Sequence, residues 1–337
     1  MRRRLFIFLR IAVGAALLAW VLQRTEFSAA TRIPFHNLDD RWLMVAFGFG
    51  GLSVIGWALR WFLFLRIYGL AVRFGEVLRL TLFADFFNLF FLGPLGGDGV
   101  RLLLLARKFP DRKAAITGAI ILDHATGLLG GTLLYFVFTR THTAWLTAEG
   151  SVLRHTALIS ADLFLGGMTV FTLSGLAVAV EPSLQRFIRE KFKHEWMFKP
   201  LMPFAFLREH RPALLLNFLL SVFTSMFSYL AYWAAGKSFA SDFPVDKLLA
   251  IMPAVDMVAA LPVTVSGLGV RENLFVELLG SRLAIGPSGA LIVSLLGFAA
   301  NGLWGLIGGV WLALHRWRSV APVVESQTSI PAEMQRP

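Results

Sequence analysis

Apolar residues gather along this chain into continuous runs and do not alternate with polar ones. That pattern predicts helices rather than the strands of a membrane barrel. Six runs, at about 5–23, 42–65, 114–138, 156–180, 212–236 and 287–314, exceed the roughly 17 residues a helix needs to cross a bilayer core. Two further apolar regions, 76–106 and 245–280, are each broken by a Gly/Pro cluster. The first break reads Leu92-Gly-Pro-Leu-Gly-Gly-Asp-Gly99 and the second Leu261-Pro-Val-Thr-Val-Ser-Gly-Leu-Gly269. Each region is either one kinked span or a re-entrant hairpin that enters and leaves the membrane on the same side.

Charge bears on that choice. With both regions as hairpins and the N-terminus in the cytoplasm, 20 Lys and Arg residues fall in cytoplasmic segments and 8 in external ones. A full crossing by 76–106 would put the basic loops 66–79 and 107–113 on opposite sides, against the positive-inside bias. Few charges flank 245–280, so its side is set less firmly. The expected fold is all-α and polytopic: six transmembrane helices plus two re-entrant hairpins, with both termini cytoplasmic. Residues 1–318 form one integral-membrane domain in this reading, and 319–337 form a disordered cytoplasmic tail. The run after Met1-Arg-Arg-Arg4 is long for a signal peptide and reads as an uncleaved first span. Segment 181–212, basic with Phe187, Phe192 and Trp196, is expected to lie on an anionic lipid surface.

Composition agrees with a membrane chain: of 337 residues 56% are apolar, including 31 Phe and 10 Trp, which excludes an ordinary soluble enzyme. The net charge of +11 follows mostly from the basic loops, so it is a topology signal and not a nucleic-acid footprint. There is no Cys, hence no disulfide or thiolate chemistry. The His residues are scattered, and neither a metal cluster nor a cofactor motif is expected. No H-E-x-x-H, P-loop or G-x-S-x-G sequence occurs, and an enzyme is not expected.

An internal repeat gives the two broken regions a common meaning. Gly97-Asp-Gly-Val-Arg101 matches Gly267-Leu-Gly-Val-Arg271 at an offset of 170. Gly127-Leu-Leu-Gly-Gly131 similarly resembles Gly305-Leu-Ile-Gly-Gly309. With one hairpin entering from each side, the halves 66–138 and 237–314 form an inverted-topology repeat, in which broken helices mark the binding site. Each break frees backbone N–H groups at a new half-helix, and its glycines allow close approach of a ligand. Asp98 is the expected N-cap of a helix over 99–106, and Ser266 of the helix after Gly267. Arg101 and Arg271 then lie in the first turns, where they bind an anionic head group or pair structurally with Asp98 and Glu272.

Other intramembrane polar residues are candidates by their cost. Asp85 and Asp256 precede Arg101 and Arg271 by 16 and 15 residues, so they pair with those arginines across each hairpin or serve in proton coupling. Asp123-His124 in the following span could relay protons or satisfy neighbouring groups, and Asn88 could supply a structural hydrogen bond. Arg10 and Arg60 are expected to snorkel to the interface.

These residues resemble the family defined by the transmembrane, flippase-like region of lysylphosphatidylglycerol synthase. One signature is Asn88…Pro94-Leu-Gly-Gly-Asp98-Gly-Val-Arg101, and another is Pro262-Val-Thr-Val-Ser-Gly267-Leu-Gly269-Val-Arg-Glu272. A third, an acidic-Arg pair early in the next span, is here Asp123-His124, which puts any role of that Arg in doubt. The resemblance implies movement of anionic or modified lipids between leaflets of the bacterial cytoplasmic membrane. In this reading the head group binds at the two tips, with Gly97, Asp98, Gly99, Arg101, Asn88, Ser266, Gly267, Gly269, Arg271 and Glu272 as the candidate contacts. The synthase's aminoacyl-transfer activity is not carried over. Rival readings are a non-catalytic partner of a lipid-modifying or glycan-assembly enzyme, and a polytopic lipid-phosphate transferase.

Overall fold

The computed structural model describes residues 38–90, 94–147, 152–181, 183–184, 186–187, 209–260, 266–280 and 282–314. The expected first span at 5–23, Arg10, most of segment 181–212 and the tail 319–337 lie outside the described residues. Every regular element among the described residues is helical. They are α1 (Asp40–Ile67), α2 (Phe74–Phe90), α3 (Pro94–Lys108), α4 (Lys113–Leu134), α5 (Thr143–Thr147), α6 (Val152–Val180), α7 (Arg211–Phe239), α8 (Val245–Ala260), α9 (Val270–Phe275) and α10 (Gly286–Leu314). A short 3-10 turn, Pro110–Arg112, precedes α4; wider π turns, Tyr135–Thr139 and Val276–Gly280, extend α4 and α9. Five of these helices are long and apolar enough to cross a membrane: α1, α4 with its flanking turns, α6, α7 and α10. They coincide with the five expected spans that fall in the described residues.

Local sequence explains the helix ends. Asp39 caps α1, its carboxylate accepting the Arg41 N–H at 2.9 Å, and Arg66 sits in the last turn where a cation suits the helix dipole. Pro94 opens α3, where its missing N–H costs nothing. Helix α7 likewise has a proline in its first turn.

The two broken regions are antiparallel helix pairs whose bases lie at opposite ends of the bundle. In the first, Lys108 at the end of α3 meets Glu76 at the start of α2 at 2.7 Å. The same end holds Arg112, which donates to the Tyr68 carbonyl at 2.9 Å. The Asp39 N–H donates to the Ser238 carbonyl at 3.0 Å, so the start of α1 and the end of α7 share the other end. There the second pair has its base: His142 approaches Asp246 at 3.7 Å, and Arg282 donates to the carbonyls of Trp145 and Leu146. Lys247 and Arg282 both lie over the Trp145 ring, at 5.1 and 5.2 Å from its centroid.

Each base has its own apolar cluster. Trp61, Phe64, Leu65, Val77, Leu105 and Ile116 fill the first; Tyr229, Leu248, Ile251, Phe275, Leu279 and Val293 fill the second. Between them, packing depends on glycine. Lipid is as apolar as leucine, so membrane helices associate by close backbone contact rather than by hydrophobic burial. The G-L-x-G-G motifs supply that contact across the two halves. A methyl added to Gly305 would lie 3.2 Å from the Asp85 carbonyl oxygen, and Gly308 and Gly309 face Leu82 and Phe86, so α10 of the second half lies on α2 of the first. Gly131 of α4 faces Met257 of α8, with a methyl there 3.2 Å from its Cε. The span of each half thus holds the helix pair of the other. Helix α6 stands apart, with Leu163, Val170 and Phe171 exposed by 73, 64 and 75%, as expected of a lipid-facing helix.

Candidate functional site

The first tip forms around an exchange of hydrogen bonds between the two arms. Asn88 Oδ1 accepts the Gly97 N–H at 2.8 Å, satisfying a donor that the first turn of α3 leaves without an intrahelical acceptor. Gly97 has no room for a side chain, since a methyl there would lie 2.8 Å from the Ala84 carbonyl oxygen. Gly99 faces open space. Asn88 therefore makes the structural bond expected of it. Asp98 is not the N-cap, because α3 begins four residues earlier at Pro94, whose fixed φ is already helical.

Asp98 instead points into a network of charge. Its carboxylate lies 3.6 Å from Arg101 and 2.5 Å from His124 Nε2. Asp123 lies 2.7 Å from Arg60 and 3.8 Å from Arg101, and its backbone carbonyl accepts a second bond from Arg60 at 2.5 Å. Arg60, Arg101 and Asp123 are 4, 7 and 6% exposed, whereas the His124 side chain is 54% exposed and opens the cluster to its surroundings. Arg101 also lies over Trp61, 5.1 Å from the ring centroid. Arg60 therefore does not snorkel: Asp123 compensates its charge inside the bundle, so the side chain has no need to reach the interface.

The second tip has a different construction. Ser266, Gly267 and Gly269 have φ of 54, 74 and 82°, in the left-handed region that glycine adopts without strain. A methyl on Gly267 would in addition lie 2.8 Å from Ala259 Cβ. Gly269, not Ser266, occupies the N-cap position of α9. Fully buried Glu272 bends back so that its Oε2 accepts the Gly269 N–H at 2.6 Å, and Ser294 donates to its Oε1 at 3.4 Å. Glu272 is thereby committed to the cap and makes no ion pair with Arg271. Arg271 is 9% exposed, donates to the Ser266 carbonyl at 3.2 Å and lies 4.6 Å from the Phe298 ring centroid. Its Nη1 has no hydrogen-bond partner, and it makes no ion pair among the described residues.

The expected pairing of Asp85 with Arg101 and of Asp256 with Arg271 is not made. Asp85 sits where α2 presses its backbone on Gly305, and its Oδ2 finds no hydrogen-bond partner among the described residues. The nearer carboxylates of Asp98 and Asp123 take Arg101 instead. Asp256 is exposed in mid-helix and lies within electrostatic reach of Arg271 and the buried Tyr229.

Helix α10 brings the tips together. Phe298 carries Arg271, and a methyl on Gly302, one turn later, would lie 3.3 Å from Leu89 beside Asn88. Four residues span only about 6 Å of helix, so the two tips border the same turn. Asn301 in that turn faces the hydroxyls of Ser53 and Ser228 at 3.5 and 3.4 Å. Sequence reading missed Phe298 and Trp61 as arginine supports, and it misplaced Arg60. An arginine five residues inside an apolar run was itself a signal, because such a charge needs a partner.

Long apolar spans, two opposed helix pairs and a charged centre between them define a multi-pass helical membrane protein. A family model, "Lysylphosphatidylglycerol synthase TM region", matches residues 7–309. The chain belongs to this family, as the two tip signatures led us to expect. A search of curated proteins finds no match.

Proposed function

We propose that the protein moves an anionic or phosphate-bearing lipid between the leaflets of the cytoplasmic membrane, binding its head group at the two tips. The helix pairs act as re-entrant hairpins of an inverted repeat, one open to each side, and rocking of one half against the other carries the head group past the midplane while the acyl chains stay in lipid. The observation that carries this reading is Arg271: buried, without an ion pair among the described residues, and with a donor nitrogen unused. A cation in that state inside a membrane is costly unless an anion joins it. A phosphate meets that need, and a guanidinium binds it through paired hydrogen bonds. Family membership supports a lipid-related role. Asn88, Gly97 and Gly99 shape the first tip, Gly267, Gly269 and Glu272 shape the second, and the Ser266 carbonyl aims Arg271. Segment 181–212 docks on the anionic leaflet. The protein transports the lipid and does not transform it.

The test is reconstitution into liposomes holding fluorescent phosphatidylglycerol, with an impermeant quencher added outside. Wild-type protein is expected to expose the inner-leaflet lipid, and Arg271→Ala to slow exposure at least about tenfold, the loss of one charge-assisted contact. Equal rates for the two proteins would overturn the reading.

A further inference from the structure

We propose that His124 is a proton-binding residue that switches the anion affinity of Arg101, so that a proton and an anionic head group bind together. This rests on the reading of Arg101 as a head-group contact. The distances within the first-tip cluster carry it. Two carboxylates face three basic groups, and each carboxylate has a partner closer than Arg101. Asp123 holds Arg60 at 2.7 Å but Arg101 only at 3.8 Å. Asp98 holds His124 at 2.5 Å but Arg101 only at 3.6 Å. Arg101 is thus the cation with the loosest hold on its neighbours, and its Nε has no hydrogen-bond partner among the described residues.

The state of His124 decides the balance. With a neutral imidazole, two guanidinium groups and two carboxylates sum to zero, and Asp98 has no cation nearby except Arg101. With an imidazolium, His124 matches Asp98, Arg60 matches Asp123, and the cluster carries one positive charge centred on Arg101. That charge suits one phosphodiester. Histidine is the side chain whose ordinary pKa allows this change near neutral pH, and a little over half of this one lies outside the packed bundle.

Beyond the cluster itself, Asp85 of α2 lies within electrostatic reach of Arg101 but makes no ion pair with it. Helix α3 presents Asp98 and Arg101, α4 itself presents Asp123, and α1 presents Arg60. Ser221 of α7 and Met257 of α8 meet α4 at Gly130 and Gly131, about two turns away, and are uncharged. Asp162 of α6 is about three turns away and is held by Tyr135 and Arg140. Tyr68 of α1 touches α4 at Gly118, toward the opposite end.

Linkage is reciprocal: if a proton favours the anion, the anion favours the proton by the same factor. The full chain in detergent is titrated with dioctanoyl phosphatidylglycerol, whose phosphodiester stays ionised throughout, so any proton taken up belongs to the protein. Calorimetry in two buffers of different ionisation enthalpy reads affinity and proton uptake together. Wild type is expected to bind more weakly as pH rises, approaching tenfold per pH unit above the His124 pKa, with close to one proton absorbed per lipid. His124→Arg, a permanent cation, should bind tightly at every pH without proton uptake. His124→Gln should bind weakly and also without pH dependence. A wild-type affinity that ignores pH, or a pH slope retained in His124→Gln, overturns the switch while leaving the head-group site standing. Absence of binding by wild type and His124→Arg at every pH overturns the head-group reading as well.

Discussion

Replacing Asp123 with Asn should be among the most damaging single changes available to this protein. The carboxylate sits 2.7 Å from Arg60 and 3.8 Å from Arg101, and all three side chains are more than nine-tenths buried, so solvent screening does little to weaken the pair. Asn keeps the shape and removes the charge. Arg60 then remains inside the bundle with the Asp123 carbonyl as its hydrogen-bond acceptor but no counter-charge. Breaking a buried pair from one side costs about 3–5 kcal/mol. For a chain of this size that corresponds to a drop in melting temperature of roughly 5–10 °C. The assay is thermal unfolding of the purified protein in one detergent, followed by tryptophan fluorescence. Removing the partner as well, as Arg60→Met with Asp123→Asn, should recover about 1–3 kcal/mol of that loss, the size of a coupling between residues in direct contact. A single variant melting within about 1 °C of wild type, or a double variant equal to the sum of the singles, would refute the pairing.

Three further outcomes follow from the fold. Gly97→Ala and Gly267→Ala should each destabilise by about 1–3 kcal/mol through overpacking, with about 1 kcal/mol more at Gly267 for its φ of +74°, measured as melting shifts. Glu76→Lys should cost up to about 1 kcal/mol by setting like charges at the first base, and the reversed pair Glu76→Lys with Lys108→Glu should regain it. A single cysteine at Ala106, near the first base, should react with impermeant thiol reagents from the cytoplasmic side; reaction only from outside would contradict the opposed hairpins.

The sequence was most informative where physics leaves few choices. Spans at 42–65, 114–138, 156–180, 212–236 and 287–314 were legible because a bilayer demands about twenty apolar residues in a row. The antiparallel form of 76–106 was legible from charge, and the Lys108–Glu76 contact agrees with it. The tip arginines stood out because buried charge is rare in such runs. Pairing within the tips was not legible. Glu272 follows Arg271 directly, yet three positions of helix turn it back to the Gly269 N–H. Asp85 and Asp256 stand at repeat-equivalent positions, but their surroundings differ: one lies against the close crossing of α2 on α10 and the other is exposed. Arg60 found its partner 63 residues away, across a contact between spans that no local pattern encodes. Asn301 in turn owes its importance to the turn of α10 that both tips share.

The central claim is that one anionic head group visits both tips, and site-specific photocrosslinking tests it most directly. Benzoylphenylalanine fits at position 99, where Gly99 faces open space, and can replace the half-buried Leu268 beside the second tip. Each variant is reconstituted into liposomes, fluorescent-tailed phosphatidylglycerol is added to the outer leaflet alone, and the sample is illuminated after an interval. The account predicts labelled protein from both variants, with loss of label when Arg101→Ala or Arg271→Ala is added. Label at only one tip, however long the interval, or label that survives both substitutions, would contradict it.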